Sequence, residues 1–531
     1  MSTDVRPRAE PTGPGAQGPA ASVGVRRLAL VGGGPVAASV LAALADELPA
    51  TGAPVPWEVI LLDRNGETGG GEPHAAGTSA ALLLNDRLAA IDSTGIGFAH
   101  WLATHRKRWV ADLAADPEPL VAAWLADHAD QLCQDRFDDL FLPRVLLGEF
   151  LRQRFAAARR RLAARGVPVR VLTGEVRTVR AAGDGWLLTV LDAPAPIAVD
   201  TALLGLGSPL PPPPPVADHP GFFSYSQARE VPTFRARLSR LLAAPDDGCR
   251  RVVVLGSAAA ACEVLYLLEG TVASDVVVLS RSGRLPDGLP SGIAEPFTCR
   301  ELSGLETVWA AGTEPPSSAE LVEAVIRDVA AGRDRGYTIV DMLPALGAAF
   351  GSALPQLPPT QVRRFVETDS PRYRRAIRHT STDYALAIRR LVAAGRLSLG
   401  RAAVTDVAPG PAGQLVVTAG DTRLPAVAVI DCRGFADVRT AAGPLLRDLL
   451  ATGTVTANPS FRGLDVNERL EAAPGLFVLG PLLAGTSRGA DQIWSLENVP
   501  RIHVLAKRVA GEIRTRLGVD APGPSRGGLH R

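Results

Sequence analysis

The sequence predicts an α/β protein built on two strand–glycine turn–helix–strand units, the first of them discontinuous, with a helical insertion after the second. Three observations carry that expectation. An apolar strand runs into Gly32 near the start of the chain. Another runs into Gly256, 224 positions on, and a third runs into Gly480 close to the end.

The first unit is the most explicit. Leu28–Val31 is a short apolar run of the buried-strand type. Gly32 and Gly34 follow, and Ala37 takes the third place of a G-x-G-x-x-G/A pattern. Helical spacing through Leu41 and Leu44 leads to a second apolar run ending on Asp63. This order is a dinucleotide fingerprint. Gly32 permits the tight turn and Gly34 lets a pyrophosphate approach the backbone. Ala37 lets the helix sit close on the strand. Gly32, Gly33, Gly34, Pro35 and Val36 are thus the phosphate-facing candidates at a helix N-terminus, and Asp63 is placed to accept hydrogen bonds from a ribose diol. Asp63 lies 31 positions after Gly32, and the excess is accounted for as a loop between Leu48 and Trp57 that holds three prolines.

Arg64 opens a glycine-dense loop that ends at His74, followed by Gly77-Thr-Ser-Ala-Ala-Leu-Leu-Leu-Asn85. Phe98–Leu125 reads as helical with a break at Pro117 and Pro119, and Trp101, Trp109 and Trp124 read as core. Phe141-Leu-Pro-Arg opens a long helix, with Pro143 suited to its first turn. Short strands are expected at Val169–Leu172, Gly174–Val179 and Trp186–Leu191. Thr201–Leu204 then runs into Gly205-x-Gly207, a strand leaving the first lobe. Pro211–Pro215 is a stiff spacer and marks a boundary.

The second unit spans Arg251–Arg284. Val252–Leu255 leads into Gly256, Ser257 and Ala258, and Ala261 takes the helix-packing place. Its second strand ends on Ser280 instead of an acid, with Arg281 and Arg284 just after. Loss of the acid removes repulsion against a 2′-phosphate, and guanidinium groups can clamp it, so the residues favour NADPH over NADH. Ala258 replaces the second glycine, and its methyl crowds a pyrophosphate. A purely structural unit is the competing explanation.

From Thr307 to Arg401 the chain reads as mostly helical and rich in arginine, ending in His379-Thr-Ser-Thr-Asp383. Arg372, Arg378, His379 and Asp383 are candidate substrate residues. A solvated arginine face is the competing explanation. Strands return at Val404–Val417 and Ala428–Cys432. Gly475–Gly480 is a late buried strand, followed by a helix that runs through Ala510 and closes the first lobe.

Composition narrows the function classes. A chain of 531 residues calls for two or three domains. A net charge of +1 gives no electrostatic case for nucleic acid. No apolar run reaches about 18 residues, so no membrane span is expected. The five cysteines lack C-x-x-C spacing, which suits reduced thiols in a cytoplasm. Only Lys107 and Lys507 are lysines, which leaves little room for Schiff-base chemistry or a P-loop. No metal-ligand motif is present. The expected organisation is a disordered tail at 1–25, a first lobe at 26–215, the second unit at 216–306, a helical insertion at 307–400, closing strands and the rest of the first lobe at 401–515, and a tail at 516–531.

In this order of units the chain resembles the two-dinucleotide-domain flavoproteins. Among them it looks most like the FAD/NAD(P)-binding group related to the amino-acid N-hydroxylating monooxygenases. The resemblance rests on Val31–Ala37, Gly77-Thr-Ser…Leu84-Asn85, Phe141-Leu-Pro-Arg, Leu279-Ser-Arg-Ser-Gly-Arg-Leu-Pro, Gly480-Pro-Leu and Thr486-x-x-Gly489…Ser495-Leu496. It departs from the group at Pro481, where an acid usually stands, and at Ala258. The resemblance implies a fold of two Rossmann-like, three-layer ββα domains, with FAD on the first unit and NADPH on the second. It implies that Arg64, Asn85, Gly207, Gly480, Trp494, Ser495 and Leu496 contribute to the FAD site. The activity implied is oxygen transfer from a flavin hydroperoxide to an amine or amino acid, with O₂ as co-substrate. Aspartate is a natural candidate if the arginines hold a carboxylate. No catalytic side chain is singled out, since the cofactor does the hard step. A flavin oxidase or reductase without oxygen insertion, and a non-catalytic FAD-binding module, are the alternatives. Related enzymes are often dimers or tetramers, and the sequence leaves the oligomeric state open.

Overall fold

Both glycine turns sit at the carboxyl end of a central parallel strand, and the architecture follows from how those two strands are covered. The computed structural model describes residues 24–48, 56–243, 249–270, 275–312, 316–441, 443–489, 491–496 and 498–518. The two expected tails fall almost wholly outside the described residues, as does most of the proline-bearing loop after Leu48.

The first unit opens with β1 (Arg26–Val31), α1 (Pro35–Glu47) and β2 (Trp57–Asp63). Then come α2 (Phe98–Ala114), α3 (Pro119–Asp127), α4 (Arg144–Ala164), β3 (Val169–Thr173) and β4 (Thr201–Leu204). The second unit comprises β5 (Phe222–Ser224), β6 (Val252–Leu255), α5 (Ala259–Glu269) and β7 (Val276–Ser280). The helical segment includes α6 (Ser318–Asp334), α7 (Ile339–Ala353), a π-helical turn (Phe365–Asp369), α8 (Ser370–Ala376) and α9 (Thr382–Ala393). After it stand β8 (Leu397–Arg401), β9 (Ala428–Asp431), β10 (Glu471–Ala473) and β11 (Leu476–Val478). A hairpin, β12 (Thr486–Arg488) and β13 (Asp491–Ile493), and α10 (Val499–Leu517) end the described chain.

The first sheet has the order β10-β11-β4-β1-β2-β3, parallel except for β10 against β11. The second has the order β8-β7-β6-β9-β5 and is parallel throughout. Parallel sheets are covered on both faces, which explains why β1 and β6 read as unbroken apolar runs without alternation. Two small antiparallel sheets, over residues 176–199 and 404–426, supply the third layers. The late strands β10 and β11 return to the first sheet, so the first lobe is discontinuous.

The second unit reaches beyond residue 306, because β8 and β9 complete its sheet. The helical segment in turn begins at Glu301, and Leu397–Arg401 belongs to the sheet as its edge strand. An apolar run cannot announce β8, whose residues are mostly exposed.

Helix α1 explains the density of alanine at the start of the chain. Val36 to Ala45 are all buried, because α1 lies between the sheet, α4 and α10. Only small side chains permit that approach from three sides. The helical segment has its own core of Leu321, Val325, Ile339, Met342, Phe350 and Phe365, and Trp494 packs against it. Ala37→Leu therefore overpacks a site with no exposure. The expected loss is about 1–3 kcal/mol in urea denaturation with little change in m-value.

Candidate dinucleotide sites and the seam between them

The first turn is tightly built. Gly32 has φ +106°, and a Cβ there would lie 2.4 Å from the carbonyl oxygen of Gly205. Its N–H donates to Leu62 O at 2.8 Å. Gly33 N–H donates to Asp63 Oδ2 at 2.8 Å, while Asp63 Oδ1 accepts from Asn65 N and Glu67 N at 2.9 and 3.0 Å. Asp63 thus pins the following loop onto the turn. A carboxylate has about four lone-pair positions, so one is left over for a ribose hydroxyl. Gly69 N–H closes the loop with a 2.6 Å bond to Gly33 O. Gly34 caps α1 in extended conformation with no side-chain cap, and Pro35 holds the first helical position. Among the described residues no side chain caps the first turn, and an uncapped helix N-terminus is suited to an anion. Val36 packs beneath, against both Gly205 and Gly480.

Gly207 has φ +78° and open space where a Cβ would stand, and Gly480 has φ +94°. Arg64 pairs with Glu72 at 3.0 Å. Asn85 is exposed, Trp494 and Ser495 are half-buried and Leu496 is buried.

The second turn repeats the first. Gly256 has φ +100°, with Cys432 O 2.6 Å from a notional Cβ. Ala258 sits at φ −96°, ψ −171°, close to the φ −85°, ψ −165° of Gly34. That conformation is open to any residue, so Ala258 carries no backbone strain. What it adds is one methyl at the mouth of the turn. Ala37 and Ala261 are both fully buried at the helix-packing place. Ser280 Oγ accepts from Gly283 N at 3.0 Å, and Ser282 Oγ lies 3.2 Å from Ser257 Oγ. Arg281 and Arg284 are exposed beside this serine cluster. Arg401 joins them, because β8 pairs with β7 in a register that sets Arg401 beside Ser280. Sequence reasoning missed Arg401, since nothing local connects two positions 121 residues apart.

The two lobes meet at a buried polar seam. Arg144, on the first turn of α4, donates to Glu263 Oε2 of α5 at 2.6 Å and to Leu83 O at 3.0 Å. Tyr225 OH donates to Glu263 Oε1 at 2.7 Å. Tyr384 OH bonds with Glu263 Oε2 at 3.2 Å and accepts from Leu83 N at 2.9 Å. Arg144, Glu263 and Tyr384 are 5%, 1% and 0% exposed, so these charges satisfy each other without water. Burial opposes the Arg144 charge, but Glu263 and the tyrosines more than offset it and its pKa rises. Burial, with Glu263 second, raises the Tyr384 hydroxyl well above its usual value, so it stays protonated. Beside the seam, Glu72 of the first lobe accepts from Ser226 and Arg229 of the second at 3.2 and 2.7 Å. Burial, with Arg144 nearby, lowers His74 to about 3.

The expected substrate residues are not brought together. Arg372 is paired with Glu323 of α6. Asp383 pairs with His128 at 2.8 Å and lines a cleft of about 480 Å³ with Trp124, Tyr266 and Arg390. His379 is exposed, bridges to Asp287 through its backbone and lies near Asp86. Arg378 is close to the buried Cys262. Among the described residues no helix is long and apolar enough to cross a membrane, and no cluster of acidic, histidine and cysteine side chains suits a metal.

Comparison with known proteins agrees with this geometry. Residues 29–209 match a family model described as FAD-NAD(P)-binding. Full-length relatives include uncharacterised proteins of Mycobacterium tuberculosis H37Rv and Mycobacterium bovis, each 28% identical over 520 residues, covering 92% of this chain and 95% of the relative. Among solved structures, the fold is similar to that of an ornithine N-hydroxylase from Kutzneria, with TM-score 0.50, 15% identity, and 93% of this chain and all of that one covered. It is equally similar to an L-lysine 6-monooxygenase from Pseudomonas syringae, with TM-score 0.50, 14% identity, and coverage of 92% and 99%. The chain thus has the fold of a two-dinucleotide-binding flavoprotein. What these comparisons establish is the shared fold, with an FAD-NAD(P)-binding match over residues 29–209.

Two outcomes follow. Glu263→Ala leaves Arg144 buried without a counter-charge and should cost about 3–5 kcal/mol. The double variant Arg144→Met, Glu263→Leu should recover most of that loss in urea denaturation. For His74 the folded pKa is depressed, so the unfolded chain takes the proton first. Stability is then full above about pH 6.5 and falls as pH drops toward 3, by up to about 1.4 kcal/mol per pH unit. His74→Asn should flatten that limb of a stability–pH curve.

Proposed function

We propose that this protein is an FAD- and NADPH-dependent monooxygenase that N-hydroxylates an amine or amino acid. The observation that carries the reading is the pair of matching glycine turns, one covered and one open, tied together by the Arg144–Glu263 seam. The first fits FAD: its α1 N-terminus has no side-chain cap, Asp63 keeps an acceptor position, and Gly207 leaves room along the sheet end. The second fits NADPH: Ser257, Ser280 and Ser282 offer hydroxyls, and Arg281, Arg284 and Arg401 surround a place where no acid stands.

When bound, FAD supplies the two-electron route from NADPH to O₂. The chain contributes the surroundings. Residues 64–71, folded over Gly33, exclude water from the first turn. Arg144, Glu263, Tyr225 and Tyr384 set the second unit against the first, which the approach of two cofactors requires. An amine must lose its proton before it can accept oxygen, so a desolvated or basic neighbour is needed at the substrate. An acidic amino acid such as aspartate suits a chain in which arginine supplies nearly all positive charge.

A second reading is a flavin oxidase or reductase that inserts no oxygen. Ala258 favours it, because its methyl narrows the approach to the NADPH turn. An anaerobic NADPH titration separates the two. About one equivalent should bleach the flavin absorbance if the second turn works. A flavin left oxidised by NADPH and bleached by an amine would overturn the monooxygenase reading.

A further inference from the structure

Among the described residues, Arg462 is a charged group with no carboxylate partner. It follows the buried Asn458 in a loop packed on residues 482–484. Its guanidinium donates to Trp494 O at 2.7 Å, to Val366 O and to Ser370 Oγ at 3.2 Å. All three acceptors are neutral. Among the described residues no carboxylate pairs with it. The neighbouring charge is positive instead: burial, and then Arg374, lower its pKa to about 10. Arg501 is placed similarly. It lies over the Trp494 ring at 5.2 Å and donates to Gln492 O at 2.6 Å and Ser495 O at 3.3 Å. Asp491, which favours its charge from nearby, is paired with Arg508 at 2.7 Å.

Two half-buried guanidiniums on the Trp494–Ser495 backbone, held by neutral acceptors, are costly unless an anion completes them. Other arginines of this chain do have an acid, as Arg372, Arg390 and Arg508 show. The place is also shaped. Arg462 binds into the π-helical turn Phe365–Asp369, a distortion that recurs at functional sites. Phe365 meets Trp494 edge-on at 5.6 Å. The surroundings are therefore cationic and aromatic together.

We infer that Arg462 and Arg501, bonded to the successive carbonyls of Trp494 and Ser495, form the receptor for a carboxylate group of a small organic ligand. This deepens the monooxygenase reading and rests on it where the ligand is called the substrate, since Trp494–Leu496 is the stretch assigned to the flavin's neighbourhood. It moves the anion site away from Arg372, whose charge Glu323 already neutralises. A carboxylate is favoured over a nucleotide phosphate for two reasons. The serine and arginine cluster that suits the 2′-phosphate stands on the other sheet, at β7 and β8. The aromatic pair here suits an organic body.

The probe is succinate, with uncharged succinamide and inorganic phosphate as comparisons, titrated calorimetrically into the full-length flavin-loaded protein. Succinate should bind and succinamide should not. R462Q should weaken succinate at least about tenfold, equivalent to about 1.4 kcal/mol, and R375Q, an exposed arginine, should leave it unchanged. R501Q tests the same site should R462Q fail to fold. Equal succinate affinity in the wild type, R462Q and R501Q overturns the inference, as does binding of phosphate alone or no binding at all. NADPH bleaching of the wild-type flavin is read separately. Its failure removes the monooxygenase reading while an Arg462-dependent succinate site stands.

Discussion

The Arg144–Glu263 ion pair is the constraint on which the rest of the molecule depends. One apolar cluster runs through both lobes, from Leu28 and Ala37 in the first to Val254 and Ala261 in the second. Within it, a carboxylate on one helix and a guanidinium on another, both almost without exposure, are closed by two tyrosine hydroxyls and Leu83. Such a pair adds little net stability over apolar residues of the same volume, because desolvation consumes most of the attraction. It is demanding about geometry, however. A small rotation of one lobe would leave a bare charge in a dry place. An apolar seam tolerates sliding; this one penalises it. Glu263 lies within two turns of the second glycine turn, and Arg144 follows the Leu83–Pro143 bridge of the first lobe. The penalty therefore acts close to where two cofactors have to meet.

The two glycine turns share a backbone and differ in their cover. Gly32 and Gly256 have nearly the same φ, each beneath a carbonyl of the strand exit opposite. Above Gly33, however, the carbonyl of Glu67 stands 1.9 Å from where a Cβ would be, and the loop is tied down by Asp63 and Gly69. Above Ser257 there is only the exposed serine and arginine cluster. A covered turn suits a cofactor that stays, and an open one suits a cofactor that exchanges each cycle. The acid at the end of β2 and the serine at the end of β7 are what make the covers differ. Asp63 gathers three backbone N–H groups and folds its loop inward; Ser280 gathers one.

Much of this was legible in the sequence because the turns are local. Gly32, Gly34, Ala37 and Asp63 follow one another within a single strand–helix–strand unit, and steric rules alone give the reading. The parallel sheets showed as unbroken apolar runs. What could not be read was everything that depends on register between distant segments. Leu397–Arg401 is too exposed to look like a strand, so neither the edge of the second sheet nor Arg401 beside Ser280 was visible. Phe141-Leu-Pro-Arg was noticed as a motif, but its arginine gains meaning only from Glu263, 119 positions later. The substrate residues were chosen by density of charge, and in the structure Arg372 pairs with Glu323, Asp383 with His128, and Arg378 and His379 lie near Cys262 and Asp86.

Arginine abundance makes charge density a weak guide. With 56 basic residues against 55 acidic ones, an arginine in a cluster can simply meet an acid, as Arg364 and Arg372 do. Function should be sought where pairing breaks down. The desolvation cost of a guanidinium does not depend on how many others the chain contains, only on what surrounds it. Arg390 and Arg508 each meet a carboxylate. Arg462 is half-buried and meets only carbonyls, a hydroxyl and a second cation. Its loop could have remained in water at no such cost. That it is instead drawn under the π-helical turn and against the Trp494 carbonyl leaves it without a carboxylate among the described residues, and an anionic ligand is the partner that relieves it.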